Sequence, residues 1–103
     1  MKNVKLFYLR ECPFCKKALR YIDELKAKYP ELRDVDIEMI EESEEPDVAN
    51  KYDYHYVPTF YINEIKVHEG GIYEDEVEQV LSKAIKESIN KNEITRNYEK
   101  TNS

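Results

Sequence analysis

Two cysteines, separated only by Pro13 and Phe14, stand where an apolar β-like run gives way to a helical pattern, and this junction constrains the chain more than any other stretch. A strand must deliver the backbone to the pair and a helix must carry it away. The N-terminus of a helix offers unsatisfied N–H groups and the positive end of the backbone dipole, which favour a thiolate. Arg10-Glu11-Cys12-Pro13-Phe14-Cys15 therefore reads first as a redox dithiol. Cys12 is the candidate nucleophile and Cys15, about one turn into the helix, the resolving thiol. Arg10, Lys16 and Lys17 add positive charge nearby, each with a modest effect because such side chains are exposed.

The rest of the chain can be placed around that junction. Val4 to Leu9 is almost uninterrupted by polar residues and predicts a short strand covered on both faces. From Pro13 the apolar positions Cys15, Ala18, Leu19, Ile22, Leu25 and Tyr29 form a helical stripe that Pro30 ends. Val35, Ile37 and Met39 alternate with Asp36 and Glu38, so 35–40 reads as a second strand, parallel to the first. The acidic run from Glu41 to Pro46 reads as a solvated loop entering a short helix.

Thr59 to Ile62 and Ile65 to His68 read as a hairpin turning at Asn63-Glu64. Gly70-Gly71, the only glycines, release it into a last helix with the stripe Val77, Val80, Leu81, Ala84, Ile85 and Ile89. The polar segment after Ile89 predicts a tail over 91–103, frayed or disordered, outside a domain spanning 1–90. The order β-α-β-α-β-β-α gives an α/β fold: a mixed four-stranded sheet flanked by helices.

Composition narrows the function classes. A chain of 103 residues is one domain. No run approaches the roughly 20 apolar residues of a membrane span, and Leu6 to Leu9 falls short of the roughly 7 to 15 of a secretory core. Two close cysteines with no export signal point to a reducing cytoplasmic setting, where such a pair is more often catalytic or metal-binding than structural. A net charge of −6 argues against nucleic acid and anionic membranes as partners. A monomer is expected.

A zinc site built from the dithiol with His55 and His68 is the main competing reading, and it supports a second class of function, a metal-binding or partner-docking module with little turnover. The two histidines lie 13 positions apart instead of in the close spacing of a zinc finger, so redox chemistry is preferred and no metal is assigned. Tyr52, Tyr54, Tyr56 and Tyr61 resemble a base-stacking set, but in an acidic chain they read as core and sheet-face residues.

Cys12-Pro13-Phe14-Cys15, Tyr56-Val57-Pro58-Thr59 and the hairpin ending in Gly70-Gly71 together resemble the glutaredoxin branch of the thioredoxin superfamily over roughly residues 3–90. The stretch Ala49 to Tyr52, followed by Val57-Pro58-Thr59-Phe60, is also similar to thioredoxin, although the chain has no Trp. The resemblance implies a thioredoxin-like fold and a thiol–disulfide oxidoreductase. It implies a cis bond at Pro58, a main-chain docking role for Val57, and close approach of a bound γ-glutamyl group at Gly70 and Gly71. Pro13 and Phe14 would line the groove. Leu9 stands where glutaredoxins commonly place a lysine for a glutathione carboxylate, and Arg10, one step later, is the expected substitute. No bound cofactor is implied; glutathione is a possible co-substrate, and the expected partners are disulfide-containing proteins or glutathione together with a reductase system.

Overall fold

The computed structural model describes the backbone of residues 3–101 and the side chains of residues 3–87. Strand β1 (Val4–Tyr8) leads into helix α1 (Pro13–Lys28), followed by a 3-10 turn (Pro30–Asp34), strand β2 (Ile37–Glu41) and the short helix α2 (Pro46–Ala49). The hairpin β3 (Thr59–Ile62) and β4 (Ile65–Glu69) then precedes helix α3 (Glu74–Thr101). The sheet order is β2-β1-β3-β4. Strand β1 runs parallel to β2 and antiparallel to β3, which is antiparallel to β4. This is the mixed four-stranded sheet with helices on its faces that the element order predicts.

The two faces of the sheet bury different residues because side chains alternate along a strand. Val4, Leu6 and Tyr8 of β1, with Phe60 and Ile62 of β3, pack against Ala18, Ile22 and Leu25 of α1 and Val77, Leu81 and Ala84 of α3. On the other face Phe7, Ile40 and Tyr61 pack with Ala49 of α2 and with Tyr52 and Tyr54. The Phe7 ring lies 4.8 Å from that of Tyr52 and 4.9 Å from that of Tyr54, so these tyrosines pack partly buried against the core, whereas Tyr56, expected with them in the core or on the sheet face, stands 70% exposed in the loop before Pro58. Strand β1 is buried from both sides, as its unbroken apolar run requires.

Several boundaries differ from the sequence reading. The second strand starts at Ile37 because Pro30 to Asp34 forms a 3-10 turn, and Val35 caps that turn with its side chain buried. Met39 stands 38% exposed on this edge strand while its neighbour Ile40 is buried against Phe7. Asn63 and Glu64 both adopt positive φ, 50° and 69°, which suits a tight two-residue hairpin turn. Helix α3 continues to Thr101 instead of ending near Ile89; residues 90–101 contain no Pro or Gly to stop it. Residues 102 and 103 of the expected tail, and the side chain of Ile89, lie outside what is described.

Leu6, fully buried in the central strand, measures how far the sheet depends on this packing. Leu6→Ala is expected to cost about 3 kcal/mol, read as a lowered urea midpoint with an unchanged slope.

Candidate active site

Cys12 occupies the N-cap of α1 with extended backbone (φ −78°, ψ 124°), and Pro13 takes the first helical position. Its side chain makes no capping hydrogen bond, and the first turn of α1 carries no acidic residue. The positive helix end therefore faces a half-buried sulfur with no carboxylate in that turn to oppose it. The backbone turn is held by Cys12 N–H donating to Leu9 C=O at 3.1 Å and Lys16 N–H donating to Cys12 C=O at 3.0 Å.

Cys15, one turn further, is 1% exposed within the core beneath α1. The Leu9 N–H donates to its sulfur at 3.4 Å. Burial pushes the Cys15 thiol up to about 12; the Leu9 N–H works against that shift, while a hydrogen bond and the charge of Cys12 add to it. Both cysteines are free thiols. The pair is thus unequal: an accessible sulfur at the helix cap and a protonated one behind it.

The Val57–Pro58 bond is cis, as the resemblance implies, and the Pro58 side chain is fully buried. Neither the N–H nor the C=O of Val57 is engaged in a hydrogen bond among the described residues. Gly70 N–H donates to Pro58 C=O at 2.8 Å and so ties the glycine pair to this loop. Gly70 has φ +93°, a conformation that requires glycine. Gly71 is under no such demand, since a Cβ there would sit 3.5 Å from the Phe14 ring, an ordinary contact. Gly70-Gly71 thereby connects Phe14 of the cysteine motif to the loop that carries Val57–Pro58.

Arg10 is engaged with an acidic loop of the chain itself. Its guanidinium pairs with Glu44 at 2.8 Å and lies 6.0 Å from the Tyr8 ring, and Glu44 raises its pKa. The charge is directed to the β2–α2 loop. His68 Nε2 lies 2.8 Å from Gly71 C=O, and no group of three or more metal-ligating side chains occurs among the described residues.

Two carboxylates that the sequence does not single out hold the loops around the dithiol. Glu41, which reads in sequence as part of a solvated run, is 5% exposed. It accepts from Arg10 N–H at 2.8 Å, from Ser43 N–H at 2.7 Å and Oγ at 2.5 Å, and from Glu44 N–H at 3.2 Å. The Ser43 hydroxyl foremost, then the Arg10 N–H, lower its carboxyl from 4.5 to about 2. Glu69, at the end of β4, accepts from Lys66 at 2.7 Å, from Tyr56 N–H at 3.0 Å and from His55 N–H. Lys66 foremost, then the His55 N–H, lower it likewise to about 2. One clamp fixes the approach to Cys12 and the other the approach to Val57. Their only sequence signal is position, an acid at the end of each strand that reaches the site.

The glutaredoxin family profile matches residues 4–67, a span that contains the dithiol and the Val57–Pro58 loop and stops before Gly70. The chain belongs to the glutaredoxin family. It is therefore a member of a thiol–disulfide oxidoreductase family. Among solved structures it is similar to oxidised thioredoxin from Plasmodium falciparum (TM-score 0.59, 20% identity, 78% of this chain and 77% of that one). Reduced thioredoxin pre-protein from Schistosoma mansoni aligns with TM-score 0.58 and 28% identity over 78% and 75% of the two chains. Thioredoxin O1 from Arabidopsis thaliana, in the oxidised state, gives TM-score 0.58 at 21% identity over 78% and 74%. No curated protein sequence matches significantly. The family profile is that of glutaredoxin, and the likeness to these thioredoxins is one of fold.

Both clamps carry a pH signature. A carboxylate whose folded pKa is depressed contributes stability that is present above its unfolded value, here 4.5, and is lost as pH falls toward about 2. Urea midpoints measured from pH 6 to 2 are expected to fall across that window. In Glu41→Gln and Glu69→Gln the fall should be shallower, and an unchanged profile in both variants would contradict the clamps.

Proposed function

We propose that the protein reduces protein or glutathione mixed disulfides through Cys12 and Cys15. The observation that carries this reading is the asymmetry of the pair, with Cys12 half-buried at the helix cap and Cys15 buried and protonated behind it. The Cys12 thiolate attacks one sulfur of a disulfide, a Cys12 mixed disulfide forms, and the other half leaves as a thiolate. Cys15 then gives up its proton and attacks the Cys12 sulfur. The products are a Cys12–Cys15 disulfide and a second substrate thiol, so two electrons pass from the protein to the substrate.

The cis Val57–Pro58 loop supports the binding half of the proposal. A main chain with free N–H and C=O groups pairs with an extended peptide as an added strand would. The protein is proposed to act as a monomer in the cytoplasm without a resident cofactor, with either an external dithiol or two molecules of the monothiol glutathione, and the corresponding reductase, returning it to the reduced state.

Cys12→Ser is expected to abolish disulfide reduction, while Cys15→Ser should accumulate a mixed disulfide or retain only monothiol turnover. Activity assays with mass analysis of the trapped species read both. Full turnover by Cys12→Ser would overturn the mechanism.

A further inference from the structure

Five large hydrophobic side chains are exposed among the described residues, and three of them stand on the cysteine motif or on segments that the glycine pair joins to it: Phe14 at 57%, Tyr56 at 70% and Tyr73 at 75%. Each stands on a different segment. Phe14 lies within the cysteine motif, Tyr56 precedes Val57–Pro58, and Tyr73 follows Gly70-Gly71. The glycine pair joins these segments, because the position a Cβ would take at Gly70 is 3.9 Å from Tyr56 Cβ and that at Gly71 is 3.5 Å from the Phe14 ring. Exposed apolar residues scattered singly need no explanation, whereas aromatics brought together by one glycine pair beside the cysteine motif mark a contact surface.

The rim is pre-organised. Tyr56 N–H is held by Glu69 at 3.0 Å and Tyr73 N–H by Glu76 at 2.9 Å, so both rings project from backbone that is already fixed. Between α1 and the 71–73 segment a cleft of about 260 Å³ opens, lined by Phe14, Lys17, Tyr21, Gly71, Ile72 and Tyr73. The surrounding charge disfavours an anionic tripeptide. Arg10 is paired with Glu44 at 2.8 Å, Lys16 lies 3.9 Å from Glu11, and the first turn of α3 beside Tyr73 carries Glu74, Asp75 and Glu76.

We infer that Phe14, Tyr56 and Tyr73 form a specificity rim that selects protein disulfides whose reacting cysteine is flanked by an aromatic or large aliphatic residue, in preference to glutathione mixed disulfides. The inference rests on the disulfide reduction proposed above and names the substrate class for it. The occupant is an extended client segment, with its main chain along Val57 and a neighbouring apolar side chain against the rim. Lys17 is the cation in the cleft that would serve a glutathione carboxylate instead.

The test uses the reduced full-length protein and three mixed disulfides of thionitrobenzoate: with a heptapeptide whose single Cys is flanked by Phe, with the same peptide flanked by Ser, and with glutathione. Attack by Cys12 releases thionitrobenzoate, and Cys15 then releases the peptide or glutathione as a thiol. The second-order rate constant should favour the Phe peptide by about tenfold over each of the others. That ratio should collapse toward one in Tyr56→Ser/Tyr73→Ser, survive in Tyr56→Phe/Tyr73→Phe, and survive in Ile65→Ser, which removes an exposed hydrophobic residue at the hairpin start. Equal rates for the three substrates would overturn the rim while leaving disulfide reduction intact. A glutathione preference lost in Lys17→Ala would do the same. Release from none of the three would overturn the proposed function and the rim together.

Discussion

The carbonyl of Tyr8 and the N–H of Leu9 belong to one peptide group, and the two ends of that group connect the sheet to the dithiol. Its carbonyl accepts from Glu42 N–H at 2.9 Å, just past the end of β2, while its N–H donates to the buried sulfur of Cys15 at 3.4 Å. The Leu9 carbonyl then receives Cys12 N–H at 3.1 Å. The last residues of a doubly buried strand thus set both cysteines before any helix packing is considered. Burial does the rest: it keeps the Cys15 proton in place and leaves Cys12 the more exposed of the two.

Around this anchor the molecule joins irregular loops through carboxylates. Glu41 takes four donors from the turn it stands in and from Arg10, and Glu69 takes Lys66 and two backbone N–H groups ahead of the cis Val57–Pro58 bond. Carboxylates that accept several backbone N–H groups can replace the regular hydrogen bonds that a loop lacks. The cysteine loop and the Val57–Pro58 loop are consequently both tied to strand ends, one at β2 and one at β4. Gly70 N–H on Pro58 C=O closes the arrangement.

Much of this was legible in the sequence where one strong local signal governed the outcome. The run of Val4 to Leu9, apolar except for Lys5, the stripe from Cys15 to Tyr29 and the stop at Pro30 each correspond to an element with nearly the expected bounds. The dithiol was legible from spacing alone, while the cis bond at Pro58 came only through the family resemblance. The start of β2 was not legible, because Val35 continues the alternation of Ile37 and Met39 although it is buried from a 3-10 turn. Glu41 was missed because a run of acids looks solvated in sequence, and only the fold brings the Arg10 N–H to meet it. The ion pair of Arg10 was not legible for the same reason: nothing in the chain near position 10 announces Glu44 as its partner.

The central claim is the inequality of the two thiols, and carbon-13 NMR of the cysteine β-carbons in the reduced protein, followed from pH 5 to 12.5, measures it most directly. Burial requires the Cys15 resonance to stay in place until the pH nears about 12. A Cys15 resonance that moves near the ordinary thiol value of 9.0 would contradict that burial.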